Sequence, residues 1–239
     1  MNESWGVLAF FIISLGFPIV WDRLERKQPN TTDALYPFDG LVEFFYFVGI
    51  PYITLLLGLL TWEHLGLTGL SSFNLIDWNS NIILELQQAT TLLLLSWLFD
   101  SGIALLAGGT ALLLLVAVRW GLARQAVRLT PLNSSWINVI YDACHWAFYR
   151  AIFWGITGDL YLGTVLGITA VLSEWIVVAK LRNQALFPSH LLINAIILVL
   201  TATTFFYSPN LWLLLPFHGA MVSMMSRRRA SEAQHVVLS

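Results

Sequence analysis

The positions of the positive charges constrain this chain more than any other feature. Of its twelve Lys and Arg residues, only Arg150 lies inside an apolar stretch, and the other eleven lie in short polar connections. Because Lys and Arg resist transfer across a bilayer, this pattern is typical of a chain that crosses a membrane several times. The composition agrees, since 57% of the residues are hydrophobic, 11% are charged and the mean hydropathy is +0.72. We therefore predict an all-α, polytopic transmembrane helix bundle, with the lipid bilayer as its main environment.

Seven apolar stretches approach the roughly 20 residues that cross a bilayer. They are Trp5 to Trp21, Val42 to Trp62, Gly102 to Val118, Trp136 to Ile156, Leu160 to Ala179, Phe187 to Tyr207 and Leu211 to Met225. A single helix over 81–118 would be about 57 Å long at 1.5 Å per residue. We therefore predict a break at Asp100–Gly102, with an interfacial or re-entrant helix over 81–99. If that segment crosses the membrane instead, the spans number eight.

The basic residues also predict the orientation. They form four clusters: Arg23, Arg26 and Lys27; Arg119, Arg124 and Arg128; Lys180 and Arg182; and Arg227, Arg228 and Arg229. With seven spans and the N-terminus outside, all four clusters lie on the cytoplasmic side, where Lys and Arg collect. With eight spans the first cluster lies outside. We expect the cytoplasmic membrane as the location, a cytoplasmic C-terminus, and a first span that is a retained anchor, because Glu3 precedes it.

Charge and cysteine usage exclude other classes. The net charge is -2 and there is no long basic tract, which argues against a nucleic-acid partner. The single cysteine, Cys144, excludes an internal disulfide framework.

The span that contains Arg150 also carries a polar stripe. At 100° per residue, Asn138, Asp142, His145 and Tyr149 lie within an arc of about 60°, and Arg150 lies roughly 80° from Asp142. A lipid-facing stripe of this kind is unfavourable, so it is expected to face other helices or a water-filled cavity. It is the first candidate site, and Asp142 is one candidate counter-ion for Arg150.

Two further spans carry candidate site residues. Gly163, Gly167, Ala170 and Glu174 align on one face, a small-residue stripe that lets helices approach closely and that ends in a carboxylate. Glu174 either joins a polar site, where it could also pair with Arg150, or extends toward Lys180. His218 follows Pro216 in the last span. Each residue alone could be a locally satisfied buried group, but we predict that four converge on one site: His145, Arg150, Glu174 and His218.

These residues resemble a known family. The run His145-Trp-Ala-Phe-Tyr-Arg150-Ala is similar to the Glu-Glu-x-x-x-Arg-Gly helix of the CPBP intramembrane endopeptidases, the CAAX-processing and bacteriocin-related proteins. Glu174 stands where that family has the His of Phe-x-x-x-His. The segment Phe205-Phe-Tyr-Ser-Pro-Asn-Leu-Trp-Leu-Leu-Leu-Pro-Phe-His218 is similar to the final helix pair that leads into His-x-x-x-Asn. The resemblance implies N-terminal helices over 1–130, a four-helix core over 131–226 and a cytoplasmic tail over 227–239.

The chain departs from the family at most motif positions. His145 and Trp146 replace both glutamates, Ala170 stands at the Phe position, and Val222 replaces the final Asn or Asp. Arg150 and His218 keep the family residue. The resemblance implies that a glutamate activates water for peptide cleavage, and here a carboxylate and an imidazole have exchanged helices. A Glu-His pair can act as base and orienting group in either arrangement if the side chains meet.

Several functions follow from this pattern. The first is a divergent intramembrane peptidase that uses His145, Arg150, Glu174 and His218, with Asn138, Asp142 and Tyr149 in support. Its substrate would be a membrane-embedded or lipidated peptide. The second is a catalytically inactive accessory or binding subunit of a larger membrane complex. A third is a pigment- or haem-binding subunit with a histidine ligand. His145, Glu174 and His218 could also bind Zn²⁺, although no compact metal motif is present.

Overall fold

The computed structural model describes residues 2–27, 40–68, 81–124, 135–182 and 189–226, and these residues form helices joined by turns. The helices are α1 (Asn2–Lys27), α2 (Gly40–Leu56), α3 (Ile82–Arg124), α4 (Trp136–Thr157), α5 (Leu160–Leu181), α6 (Ser189–Tyr207) and α7 (Leu211–Ser226). The predicted all-α fold is confirmed for this part of the chain. Arg128, the basic cluster at 227–229 and the tail lie outside the described residues.

Short polar residues and one glycine define both ends of α4 and the start of α5. Ser135 begins α4, where its hydroxyl accepts a hydrogen bond from the Asn138 N–H at 3.3 Å. Gly158 ends α4 with φ +69°, a left-handed conformation that favours glycine. Asp159 then begins α5 by accepting from the Leu162 N–H at 2.8 Å. Because α4 and α5 are separated by only two residues, they form a tight helical hairpin.

Two of the described helices are long and apolar enough to cross a membrane, within Ile82–Gly121 and Leu160–Leu181. Four shorter apolar helices accompany them, at Trp5–Trp21, Gly40–Leu56, Leu191–Tyr207 and Leu211–Met225. Many large hydrophobic side chains are exposed, as expected when lipid is the solvent. These features are consistent with a membrane protein, and the number of spans stays a prediction.

The predicted break in α3 is wrong. This helix runs for 43 residues without interruption, so 81–99 does not form a separate interfacial or re-entrant helix. The polar residues at the expected break are satisfied without one. The Ser101 hydroxyl donates to the Trp97 carbonyl at 2.6 Å, and the Asp100 carboxylate accepts from the Asn210 side chain at 3.2 Å. The stretch also lacks proline, the residue that most strongly interrupts a helix.

The chain divides into two compact units, each built from two separate stretches. The first comprises 1–65 and 140–188, and the second comprises 66–139 and 189–239. The first unit therefore contains α1, α2, most of α4 and all of α5. The second contains α3, the first turn of α4, α6 and α7. The division at residue 130 follows the family resemblance and stays a prediction.

In the second unit, α3 packs against the hairpin of α6 and α7. The Leu211 N–H at the start of α7 donates to the Gly66 carbonyl at 2.7 Å. Gly66 has φ +79°, and a Cβ there would lie 2.5 Å from the Phe205 ring, so this position requires glycine. At the other end of α7, the Arg119 guanidinium donates to the Met224 carbonyl.

In the first unit, α4 and α5 approach closely through glycine. A Cβ on Gly163 would lie 2.6 Å from the backbone nitrogen of Trp154, and one on Gly167 would lie 2.9 Å from the Cα of Arg150. The predicted role of this stripe in helix packing is confirmed. The close approach brings the face of α4 that carries His145 next to the face of α5 that carries Glu174.

Candidate functional site

Glu174 is the centre of a hydrogen-bonded cluster in the first unit. Its side chain is buried, and the residue is only 9% exposed. One oxygen, Oε1, accepts from the Tyr46 hydroxyl at 3.0 Å. The other oxygen, Oε2, accepts from the Tyr149 hydroxyl at 2.7 Å and lies 3.0 Å from Nε2 of His145. The carboxylate is thus bound by three polar groups from two other helices.

Among the partners of Glu174, His145 is the one best suited to act as an acid or a base. The residue is 3% exposed, and its Nε2 also lies 3.3 Å from the Tyr46 hydroxyl. Since Nε2 faces a carboxylate, a neutral ring carries its proton there and keeps a lone pair on Nδ1. Nδ1 is buried and has no hydrogen-bond partner among the described residues. The geometry therefore presents an oriented imidazole with one nitrogen able to accept a proton.

Aromatic rings surround this imidazole. The ring centroids of Tyr149, Tyr46 and Phe47 lie 4.5, 5.0 and 5.4 Å from that of His145. The Tyr46 ring stacks in turn on Phe17 at 4.9 Å. These rings separate the pair from bulk water, which strengthens the interaction between the imidazole and the carboxylate.

A hydroxyl from α1 extends the cluster. Ser14 is fully buried, and its hydroxyl donates to the Tyr149 hydroxyl at 3.3 Å. Because Tyr149 donates to Glu174, the chain of hydrogen bonds runs from α1 through α4 to α5. All four helices of the first unit contribute a side chain: Ser14, Tyr46, His145 with Tyr149, and Glu174.

Three of the residues predicted from sequence meet in this cluster: His145, Tyr149 and Glu174. Asp142 is half-buried one turn before His145 on the same helix. Arg150 follows Tyr149 in the chain and is buried, and its backbone packs against Gly167. The alternative in which Glu174 extends toward Lys180 is wrong, because hydrogen bonds hold its carboxylate in the cluster.

The remaining predicted residues lie elsewhere. Asn138 is exposed in the first turn of α4, where it exchanges hydrogen bonds with Ser135 at the helix start. His218 is fully buried in the second unit, and its Nδ1 lies 3.2 Å from the Thr201 hydroxyl. The convergence of His218 with the other three residues, and the counter-ion of Arg150, stay predictions.

Two residues of the cluster, Tyr46 and Ser14, were not predicted from the sequence. A tyrosine near the start of a span usually lies at the membrane interface, so Tyr46 carries no signal of its own. A serine inside an apolar helix usually bonds to its own backbone, which makes Ser14 equally inconspicuous. The available signal is indirect: a buried carboxylate requires several donors, and hydroxyl groups on neighbouring spans are the natural candidates.

Metal binding has no structural support among the described residues, where no group of three His, Cys, Asp or Glu side chains could hold an ion. The pigment- or haem-binding alternative stays a prediction.

The second unit also contains a groove of about 460 Å³ between α3 and α6. Its two threonine hydroxyls, on Thr110 and Thr203, donate to carbonyls of their own helices. Apart from these threonines and Tyr207, the lining residues are apolar, so the groove is a mainly apolar surface.

No protein-family model, curated protein or solved structure significantly matches this chain.

Proposed function

We propose that this protein is an intramembrane peptidase of the CPBP type, in which His145 and Glu174 form the catalytic pair with exchanged positions. The observation that supports this proposal is the 3.0 Å contact between Nε2 of His145 and Oε2 of Glu174 in an enclosed polar cluster. A buried carboxylate and imidazole that meet through a hydrogen bond are the usual elements of a general base and its orienting group. The substrate class is a membrane-embedded or lipidated peptide.

The contacts assign different roles to the two residues. Glu174 is bound by two tyrosine hydroxyls as well as by His145, so its oxygens are occupied. It therefore orients the imidazole and stabilises the positive charge that forms on it. Nδ1 of His145 is the atom that accepts a proton from water as the water attacks the peptide carbonyl. Arg150, which keeps the family residue, is proposed to stabilise the charge that develops on the carbonyl oxygen.

We also propose seven spans in the cytoplasmic membrane, with the N-terminus outside. The uninterrupted α3 supports this arrangement, because eight spans require a reversal at Asp100–Gly102. Within α3, Asp100 bonds to Asn210 before the start of α7, and Arg119 bonds to Met224 near its end. The separation of 19 positions along the helix corresponds to about 29 Å at 1.5 Å per residue, close to the ~30 Å core of a bilayer.

The substitution Glu174→Gln tests the enzymatic role. An amide of almost the same shape leaves the helices packed but cannot stabilise an imidazolium as a carboxylate does, so cleavage should fall by at least a hundredfold. The control is Glu63→Gln, an exposed glutamate in the turn after α2. Peptides in membranes from cells that express each variant are compared by mass spectrometry of their new termini. Equal cleavage patterns for the wild type and Glu174→Gln would contradict the proposal.

A second candidate function is an inactive subunit of a larger membrane complex. The observation that favours it is the apolar surface of α3 before Asp100, where Ile83 is 79% exposed and Leu98 is 73% exposed. In the proposed topology these 18 residues extend about 27 Å beyond Asp100 at 1.5 Å per residue, which makes an uncovered apolar helix unfavourable. Photo-crosslinking from position 94 in native membranes tests this candidate. A single crosslinked protein would support it, and lipid adducts alone would oppose it.

A further inference from the structure

Tyr46 lies in an irregular part of α2. Residues Phe45–Gly49 form a π-helical turn, and the Ile50 N–H closes it by donating to the Phe45 carbonyl five residues earlier. A π-turn inserted in an α-helix is rare and occurs frequently at functional sites. Here the turn carries the two aromatic residues of α2 that contact His145.

The sequence explains why the turn forms at this place. Pro51 has no N–H, so it cannot donate the α-helical hydrogen bond to the Phe47 carbonyl four residues earlier. Glycine at position 49 avoids a steric clash, because a Cβ there would lie 2.8 Å from the Phe45 ring. The proline and the glycine together favour a wider turn just before residue 50.

The wider turn determines which side chains reach the site. In a regular α-helix, consecutive residues point about 100° apart, and the wider π-turn reduces this angle. In this structure both rings lie within 5.4 Å of the His145 ring, measured between centroids. The Tyr46 hydroxyl lies 3.0 Å from Oε1 of Glu174 and 3.3 Å from Nε2 of His145. It contacts both members of the pair at once.

We infer that Tyr46 is a positioning residue, which the π-turn of α2 places so that its hydroxyl holds Glu174 against Nε2 of His145 and leaves the lone pair on Nδ1. Its role in catalysis rests on the proposed function, whereas its effect on the histidine ring does not. Without the hydroxyl, Oε1 loses the donor from Tyr46 and the carboxylate can rotate. Nε2 then faces an acceptor oxygen that only Tyr149 still holds in place, so the ring proton can move to Nδ1 more easily.

The test measures the histidine ring directly. The protein is labelled with nitrogen-15 histidine in lipid nanodiscs, and His145 is assigned among the five histidines from the spectrum of His145→Asn. In the wild type we expect Nδ1 to resonate in the range of unprotonated ring nitrogens and Nε2 in the protonated range. In Tyr46→Phe, which keeps the ring stack but lacks the hydroxyl, both signals should shift toward averaged values. Tyr52→Phe is the matched control, because Tyr52 is exposed on the same helix.

Two results would overturn the inference: a protonated Nδ1 in the wild type, or a Tyr46→Phe spectrum identical to that of the wild type. Pro51→Ala provides an independent variant, since it restores an N–H for the Phe47 carbonyl and should shift the same two signals while Tyr46 stays in the chain. The proposed function fails separately. A fixed Nδ1 lone pair in a protein whose cleavage pattern does not depend on Glu174 supports the positioning role and refutes the peptidase.

Discussion

At the level of single residues, the sequence predicted those members of the polar cluster whose burial is energetically costly. Glu174, His145 and Tyr149 are polar groups inside apolar helices. Burial of such groups is unfavourable unless they form hydrogen bonds or ion pairs. Tyr46 and Ser14 were not predictable, because a tyrosine at the end of a span and a serine within one are ordinary in membrane helices. Their place depends on how α1 and α2 pack against α4, which residue type alone does not specify.

Tyr149→Phe should destabilise the first unit. The Tyr149 hydroxyl is fully buried, donates to Glu174 at 2.7 Å and accepts from Ser14. Loss of a hydrogen bond to a charged group lowers the free energy of unfolding by about 1.5–3 kcal/mol. Thermal unfolding in detergent, with Tyr207→Phe as the exposed control, measures the change. Equal melting temperatures for the two variants would show that Tyr149 does not stabilise the carboxylate.

At the scale of helices, the sequence predicted positions well and one boundary poorly. The stretches predicted from Trp136, Leu160 and Leu211 begin at the same residues as α4, α5 and α7. The predicted break in α3 relied on the length of a bilayer span, but a helix of good helix formers can run longer than one span when its polar residues have partners. The π-turn in α2 was missed because Pro51 can end, bend or widen a helix, and tertiary contacts select among these outcomes.

Gly167→Ala tests the close contact between α4 and α5. The new Cβ would lie 2.9 Å from backbone atoms of Arg150, so one helix must shift. Overpacking of this kind lowers stability by about 1–3 kcal/mol. Gly109→Ala is the control, because a Cβ there meets nothing within 4 Å. We expect a lower melting temperature for Gly167→Ala and an equal or higher one for Gly109→Ala. The reverse order would mean that the helices do not meet at Gly167.

At the scale of the whole molecule, composition and charge placement predicted an all-helical, lipid-exposed protein, and the described helices agree with both features. The arrangement into two units, each made from distant stretches of the chain, has no sequence signal. It depends on which helix faces pack against each other. The number of spans and their direction depend on the bilayer, so the charge pattern is their main predictor.

Cysteine labelling of intact cells tests the topology. Single cysteines at positions 28, 122, 183 and 230, in a Cys144→Ser background, should be protected from an impermeant reagent, because the proposed topology places the basic clusters beside them in the cytoplasm. Glu63→Cys, in the turn after α2, should be labelled from outside. Labelling of position 28 alone among the first four would favour eight spans, and labelling of any other position in that set would contradict the proposed orientation.

Exchanging the two residues of the proposed catalytic pair tests most directly whether His145 and Glu174 act together. His145→Glu and Glu174→His place like groups together, so each variant alone should lose cleavage and melt at a lower temperature. The double variant restores one carboxylate and one imidazole, in the order of the family. If the pair acts as a unit, the double variant should melt at a higher temperature than either single variant, and the coupling should exceed about 0.5 kcal/mol, the limit of additivity for independent sites. It should also recover part of the cleavage. A double variant whose losses equal the sum of the two single losses would contradict the claim that His145 and Glu174 work together.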